Sequence, residues 1–389
     1  MSVSVSGANL AQLPRKSGSR SKRDISPFRP ECLIIESRAA DLPFALRITN
    51  SLRDVPTDIV DDAALLKVPS DPDEARRRLI LTVHRGKALK KCPSSCADNF
   101  CCGSMSLDLV SASPIECSYD LPHAAREATP AAFVDLEAIL REVSSFLARN
   151  EQRYFRIRSG ETGDPLAQDH LFDFARVLIP FFASKRNAIY ELKTRTSFVD
   201  HLLDLKHRNR TVISWALNAQ SIIESEERGV ASLDERLAAA AKVAAAGFGV
   251  GFCLDPVIVN GSPEEATERY GEVVDKMLTA VPSRSIAWVR MGLLKFDPDL
   301  PARALKRFPG TRIFAGEIVP VGKLMRYPRF IRERVLKVLW EKLNKALPPH
   351  KLHICGESAG VWGTIDPSIC DSSCLEKRLC NLETLPISF

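Results

Sequence analysis

Between residues 107 and 291 the chain alternates short apolar runs with amphipathic stretches six times, and that alternation restricts the fold more than any other feature. Strand-like runs stand near 107–111, 154–158, 189–193, 212–217, 250–254 and 285–291. The segments between them carry helical signals. Phe133, Leu136, Leu140, Val143 and Leu147 recur at helical spacing, which gives one apolar stripe to lay on a sheet. Ser232 and Glu235 form a capping box, and Gly247 stands where a glycine ends that helix. Ser262 and Glu265 form a second box, with Pro263 at the first helical position. Strand–helix units in series build a parallel sheet with right-handed crossovers. Six units fall short of a closed eight-fold barrel. The expected fold is therefore α/β, a partial (β/α)6 barrel with functional groups at the C-terminal strand ends.

Runs at Cys32–Glu36 and Leu79–Val83 precede this series and predict an N-terminal α/β extension. The expected organisation is a disordered basic tail (1–28), the extension with a Cys-rich loop (29–106), the barrel (107–300), a C-terminal segment (301–365) and a Cys-containing tail (366–389). The tail to residue 23 holds Arg15, Lys16, Arg20, Lys22 and Arg23 and no acid. The rest of the chain has 49 basic against 48 acidic side chains, so +5 of the net charge of +6 belongs to the tail rather than to a global field. No apolar run reaches the roughly 20 residues of a membrane helix. The eleven cysteines are odd in number, and five lie within 92–117. That pattern points to a reducing compartment and to metal or cluster chemistry rather than a disulfide framework. A cytoplasmic location is expected, with organelle targeting by residues 1–28 as the other option.

Several collinear segments carry a resemblance. They include Glu191-Leu-Lys193-Thr-Arg195, Val199-Asp200-His201, Thr211 to Asn218, Gly251-Phe-Cys253-Leu-Asp255-Pro256, Gly322-Lys323-Leu-Met-Arg326-Tyr327 and Cys355-Gly-Glu357-Ser358. Over about residues 30–362 the chain resembles the spore photoproduct lyase-like, DNA repair photolyase-like branch of the radical S-adenosylmethionine (SAM) proteins. The resemblance implies a radical SAM type of partial barrel, a [4Fe–4S] cluster, SAM as cofactor and DNA as partner. In such proteins a loop with Cys-Pro and Cys-Cys-Gly, here Lys91-Cys92-Pro93 and Cys101-Cys102-Gly103 with Cys96 between, precedes the cluster motif.

The cluster motif itself is Cys-x3-Cys-x2-Cys, three thiolates for three irons with the fourth iron left to SAM. The matching stretch is Ser113-Pro-Ile-Glu-Cys117-Ser-Tyr119-Asp120, in which only Cys117 is a thiol. Serine and carboxylate oxygens are hard donors and poor substitutes in an iron–sulfur site. The resemblance makes Cys117 the metal ligand and Tyr119, Glu161 and Lys193 the catalytic residues. It assigns Ser159, Gly160, Glu161 and Asn218 to the cofactor. Glu161 also stands where the spore lesion enzymes have a hydrogen-donating cysteine, and no cysteine occurs between Cys117 and Cys253.

Basic stretches at Lys193–Arg210 and Lys323–Arg334 offer phosphate contacts, with Tyr327 as a base-stacking candidate. Cys370-x3-Cys374-x5-Cys380 gives three sulfur ligands, one short of tetrahedral zinc. His353 and Cys355 read as core or edge residues of a last strand. Three functional readings stay open: a family member without its cluster that keeps SAM or nucleic-acid affinity, an active lyase on dimerised pyrimidines with unorthodox ligands, and a cysteine-based metal module.

Overall fold

The computed structural model describes residues 27–380 apart from 68, 93–98, 124, 161 and 162. The expectations for residues 1–26 of the basic tail, for Cys96 and for Glu161 fall outside the described residues. The main sheet has eight strands: β1 (Leu89–Lys91), β2 (Met105–Leu107), β3 (Phe155–Ser159), β4 (Ala188–Thr194), β5 (Thr211–Ala216), β6 (Gly249–Val257), β7 (Ile286–Leu293) and β8 (Leu352–Ile354). Their spatial order is their chain order. Strands β2 to β8 run parallel, and β1 is an antiparallel edge on β2.

The six strands read from the alternation are all present, and the edge strands β1 and β8 extend the sheet. The run near 107–111 divides. Met105–Leu107 stays in the main sheet, while Val110–Ser111 pairs antiparallel with Ala131–Phe133 in a second sheet. The change of partner happens at Asp108 and Leu109. The Asp108 N–H donates to the Ala88 carbonyl at 3.1 Å, and the Leu109 carbonyl accepts from the Phe133 N–H at 3.0 Å. The second sheet has five strands in the order Thr57–Val60, Cys32–Glu36, Arg78–Thr82, Ala131–Phe133, Val110–Ser111. It thus recruits two strands that follow β2 in the chain.

Both capping boxes are formed. Ser232 caps helix Leu233–Ala245, Ser262 caps helix Pro263–Ala280, and each N3 glutamate reaches back to its cap N–H. Gly247 follows the first of these helices at φ +86°, a conformation that a side chain would strain. The apolar stripe ends one turn short of the expectation. Helix Leu136–Ala148 buries Leu136, Ile139, Val143 and Leu147, whereas Phe133 belongs to a strand.

The main sheet is strongly curled. In a flat sheet, strands three apart lie roughly 14 Å from each other. Here the Trp288 indole N–H of β7 donates to Glu191 Oε1 of β4 at 3.1 Å. The Arg156 guanidinium of β3 sits 4.1 Å from the centroid of the same indole. Side chains of non-adjacent strands therefore meet inside a half-barrel. At its N-terminal end Tyr154, Ile189, Val212, Ala287 and Trp288 make an apolar floor, against which Cys380 packs.

Gly251 lets this interior close. A Cβ at that position would lie 2.0 Å from Ser214 Oγ and 2.8 Å from Trp288 Nε1. Gly251→Ala is expected to lower stability by about 1–3 kcal/mol, the range for overpacking a filled interior, measured by denaturant unfolding. A neutral effect would show that the curl has slack around Trp288.

Candidate functional site

Parallel strands β3, β4 and β5 place Ser159, Lys193 and Asn218 at the same, C-terminal end of the half-barrel. Two groups of side chains lie there.

The first surrounds Cys117. Glu116–Cys117 is a two-residue strand paired antiparallel with Glu227–Arg228, Glu227 facing Cys117 and Arg228 facing Glu116. The Ser118 N–H donates to the Glu226 carbonyl at 2.9 Å, and its hydroxyl donates to the Glu226 carboxylate, which also accepts from Thr311 Oγ1 at 2.7 Å. Tyr119 is buried and donates its phenol to Glu227 Oε1 at 2.6 Å. Asn218 Nδ2 donates to that same oxygen at 2.8 Å, and Tyr270 donates to Asn218 Oδ1 at 2.5 Å.

The other oxygen of Glu227 accepts from Arg236 Nη2 at 2.5 Å. Arg236 is fully buried, and its remaining donors go to the carbonyls of Ala231 and Ala216, each at 2.8 Å. Glu116 is held by Arg76 at 2.7 Å and Arg307 at 2.8 Å. Every residue from Glu116 to Tyr119 is thus tied by backbone or side chain to a rigid frame.

The second group lines the lumen above Trp288. Arg290 approaches Asp255 at 3.5 Å, and Lys193 and Lys295 belong to the same electrostatic neighbourhood. Burial alone would raise the Asp255 pKa, but Arg290, Lys295 and Lys193 outweigh it and hold the carboxyl below its ordinary value. A Cβ at Gly292 would fall 2.8 Å from Asp255 Oδ1, so this close approach needs glycine. Ser159 Oγ accepts from the Lys193 backbone N–H at 3.1 Å. The space beside Gly160 is taken by Asp108, whose Oδ1 would stand 2.6 Å from an added Cβ. Of the candidate residues, Tyr119, Asn218 and Cys117 come together in the first group, and Ser159 and Lys193 sit by the second. The sequence reading did not single out Glu227, Arg236 or Arg290. A buried charge partner leaves no local pattern along a chain.

The three positions matched to the cluster motif carry one hydroxyl, one thiol and one carboxylate, Ser113, Cys117 and Asp120. Cys117 is buried, with Arg195, Glu227 and Tyr119 as its electrostatic neighbours, and burial pushes its thiol up to about 12. Asp120 is exposed and Ser113 half-buried, and neither offers sulfur. Among the described residues, the only three Cys, His, Asp or Glu ligand atoms mutually within 4.8 Å belong to Cys370, Asp371 and Cys374. Cys370 and Cys374 are joined as a disulfide, and Cys380 lies apart from them on the lumen floor.

The expected base-stacking role of Tyr327 is corrected by its burial. The side chain is 1% exposed and its oxygen accepts from the Val259 N–H at 3.0 Å. Arg326 and Arg332 are buried on the Glu357 carboxylate, Arg329 pairs with Glu333 at 2.7 Å, and Arg334 pairs with Glu264. Most of the second basic stretch is therefore consumed by internal ion pairs. No helix among the described residues is long and apolar enough to cross a membrane.

Glu227 has a pKa held below its ordinary value. Burial by itself would raise it, but the charges of Arg236 and Arg195 and the bonds from Tyr119 and Arg236 prevail. A carboxyl depressed in the folded state adds stability above its unfolded value and loses it as pH falls through the folded value. Thermal stability is thus expected to fall as pH drops below about 4, with a shallower fall in Glu227→Gln. Glu227→Ala, which strands Arg236, is expected to cost about 3–5 kcal/mol by denaturant unfolding. A loss under about 1 kcal/mol would mean that water reaches Arg236.

The comparisons with known proteins agree with one another. The family model described as spore photoproduct lyase matches residues 28–331. Spore photoproduct lyase of Bacillus subtilis is 25% identical over 304 residues, covering 74% of this chain and 85% of that one. Its counterpart in Clostridium acetobutylicum is 20% identical, over 72% and 83% of the two chains. A solved double mutant of spore photoproduct lyase with bound AdoMet and dinucleoside spore photoproduct superposes with a TM-score of 0.74 at 18% identity, covering 84% of this chain and 98% of that one. Spore photoproduct lyase complexed with dinucleoside spore photoproduct gives 0.72 at 19% identity, with the same coverage.

Proposed function

Because this chain belongs to the spore photoproduct lyase family, we propose that it is a family member that has given up the cluster-dependent lyase reaction and retains the barrel as a binding module for an anionic nucleotide ligand. The observation that carries the first half is the donor set: one thiol, one hydroxyl and one carboxylate at Cys117, Ser113 and Asp120. Iron–sulfur clusters are held by soft thiolates, and two hard replacements in one triad compound each other. No step of the family reaction is therefore assigned to these residues. Tyr119 and Asn218 hold Glu227 and each other, which makes them supports of the loop around Cys117.

The second half rests on charge. Among the described residues, Arg156, Arg158, Lys193, Arg290 and Lys295 are neighbours of the lumen carboxylates Glu191 and Asp255. Five cations against two carboxylates in a partly water-excluded space favour a phosphate or carboxylate ligand. The related lyase structure holds AdoMet and a dinucleoside spore photoproduct on the same fold, which supports SAM and damaged DNA as the ligand classes to try first. Ser159, Gly160 and Lys193, at the strand ends, belong to the proposed ligand mouth.

Anaerobic reconstitution with iron and sulfide tests the first half. The unmodified chain is expected to retain well under one cluster and to form no 5′-deoxyadenosine from SAM. The double variant Ser113→Cys/Asp120→Cys should gain iron and sulfide in near-stoichiometric ratio. Full loading and 5′-deoxyadenosine formation by the unmodified chain would replace this reading with that of an active lyase using unorthodox ligands. Titration of a fluorescent thymine-rich oligonucleotide tests the second half. Binding should weaken with salt, and Arg290→Ala should weaken it several-fold and flatten the salt slope. Binding unaffected by both would place the ligand elsewhere.

A further inference from the structure

The half-barrel has two edge strands, β1 and β8, and residues 99–101 meet the segment that follows β8. Asn99 bridges Ser358 antiparallel, and the Phe100 N–H donates to the Glu357 carbonyl at 2.9 Å. The Cys101 N–H is anchored by Ser372 Oγ at 3.0 Å. Where the loop meets β8 lies a small cavity lined by Cys92, Phe100, Cys101, Cys102, His353 and Cys355. Cys101 neighbours Cys92 and Cys102, and Cys102 in turn neighbours His353. Cys92, Cys101, Cys102 and Cys355 are not joined in disulfides. Arg158 Nη2 donates to Cys92 Sγ at 2.9 Å. His353 is 1% exposed, and its Nδ1 has no hydrogen-bond partner among the described residues.

We infer that Cys92, Cys101, Cys102 and His353 form a binding site for a single zinc-class ion, with Cys355 on its wall, and that the ion clasps the open side of the half-barrel. Structural thiols alone would account for the sulfurs, because cysteine packs well in apolar surroundings. They do not account for a buried imidazole nitrogen left without a partner in the middle of a strand, a cost that native interiors avoid. A metal ion removes that cost by taking the nitrogen lone pair.

Three sulfurs and one imidazole are a Cys3His set, the donor chemistry of tetrahedral structural zinc. The donors run as a string of neighbours of which no three lie mutually within 4.8 Å, and an ion would gather them. The donated bond from Arg158 to Cys92 is an outer-shell contact that orients a thiolate ligand and offsets its charge. Residues 92 to 102 and residue 353 are far apart in sequence and meet only when the barrel is folded. Binding is therefore linked to the closed fold and stabilises it.

This site is separate from the Cys117 loop, and its test is independent of the loop's reading. The full-length chain is stripped with a chelator under reducing conditions and then given Zn2+ or Co2+ alone. The expected result is about one ion per chain, thiolate-to-cobalt charge-transfer absorption, and a higher melting temperature with zinc. Cys102→Ser and His353→Ala should each weaken binding by about tenfold or more, while Cys370→Ser/Cys374→Ser leaves it intact. Absence of uptake, a cobalt spectrum without sulfur bands, or loss of binding only in the Cys370/Cys374 variant would overturn the proposal. The cobalt spectrum needs no variant, so it decides even if the substitutions prevent folding. Iron with sulfide lost on Cys102→Ser would also overturn it, whereas iron with sulfide lost only on Cys117→Ser would overturn the proposed function and leave this site standing.

Discussion

Glu227 and Arg236 share a space from which water is excluded, and the loop around Cys117 is arranged about that pair. A buried carboxylate and guanidinium lose large hydration energies, which only complete hydrogen bonding offsets. Completion is what the structure provides. Arg236 spends its other donors on two backbone carbonyls, and Glu227 takes further bonds from Tyr119 and Asn218. Asn218 is itself fixed by Tyr270, whose oxygen accepts from the Ile258 N–H at 2.9 Å. The pair thus links the end of β5, the end of β6, the helix Leu233–Ala245 and the loop around Cys117. The loop around Cys117 is in consequence a densely bonded corner.

The half-barrel interior obeys a different constraint. Its lower part is filled by Trp288, with Arg156 stacked on the ring and Glu191 on the indole N–H. Above it, among the described residues, cationic side chains outnumber carboxylates, with Asp255 the neighbour of Arg290. This ordering, apolar floor, aromatic plug and cationic mouth, explains how a chain body near neutrality can still offer one strongly positive concavity. The surface stretch at Lys323–Arg334 contributes little to that field, since Glu357, Glu333 and Glu264 absorb most of its charge.

The open side of the barrel adds a mechanical requirement. A curled sheet that stops short of closure has two edges, and unpaired edges need cover. Residue Asn99, bridged to Ser358, and the helix Ser372–Leu379 lie there among the described residues. Arg153 on Glu376 ties that helix to the turn before β3.

Much of this was legible in the chain. Strand–helix alternation, two capping boxes and Gly247 act over a few residues, and they dictated the parallel sheet and the helix ends at Ser232 and Ser262. The lone thiol among Ser113, Cys117 and Asp120 is likewise a local fact, and it determined the donor chemistry before any geometry was known. What lay beyond reach depends on contacts between residues distant in sequence. Burial decided that Tyr327 is a core residue, because Val259 is brought to its hydroxyl only by the fold. The splitting of the run near 107–111 between two sheets hinges on which carbonyl is nearest at Asp108 and Leu109. His353 and Cys355 looked like plain strand residues until curling carried β8 to the loop of Cys92, Cys101 and Cys102. Periodicity encodes which face of an element is apolar; only the curl of the sheet decides which polar groups that face will meet.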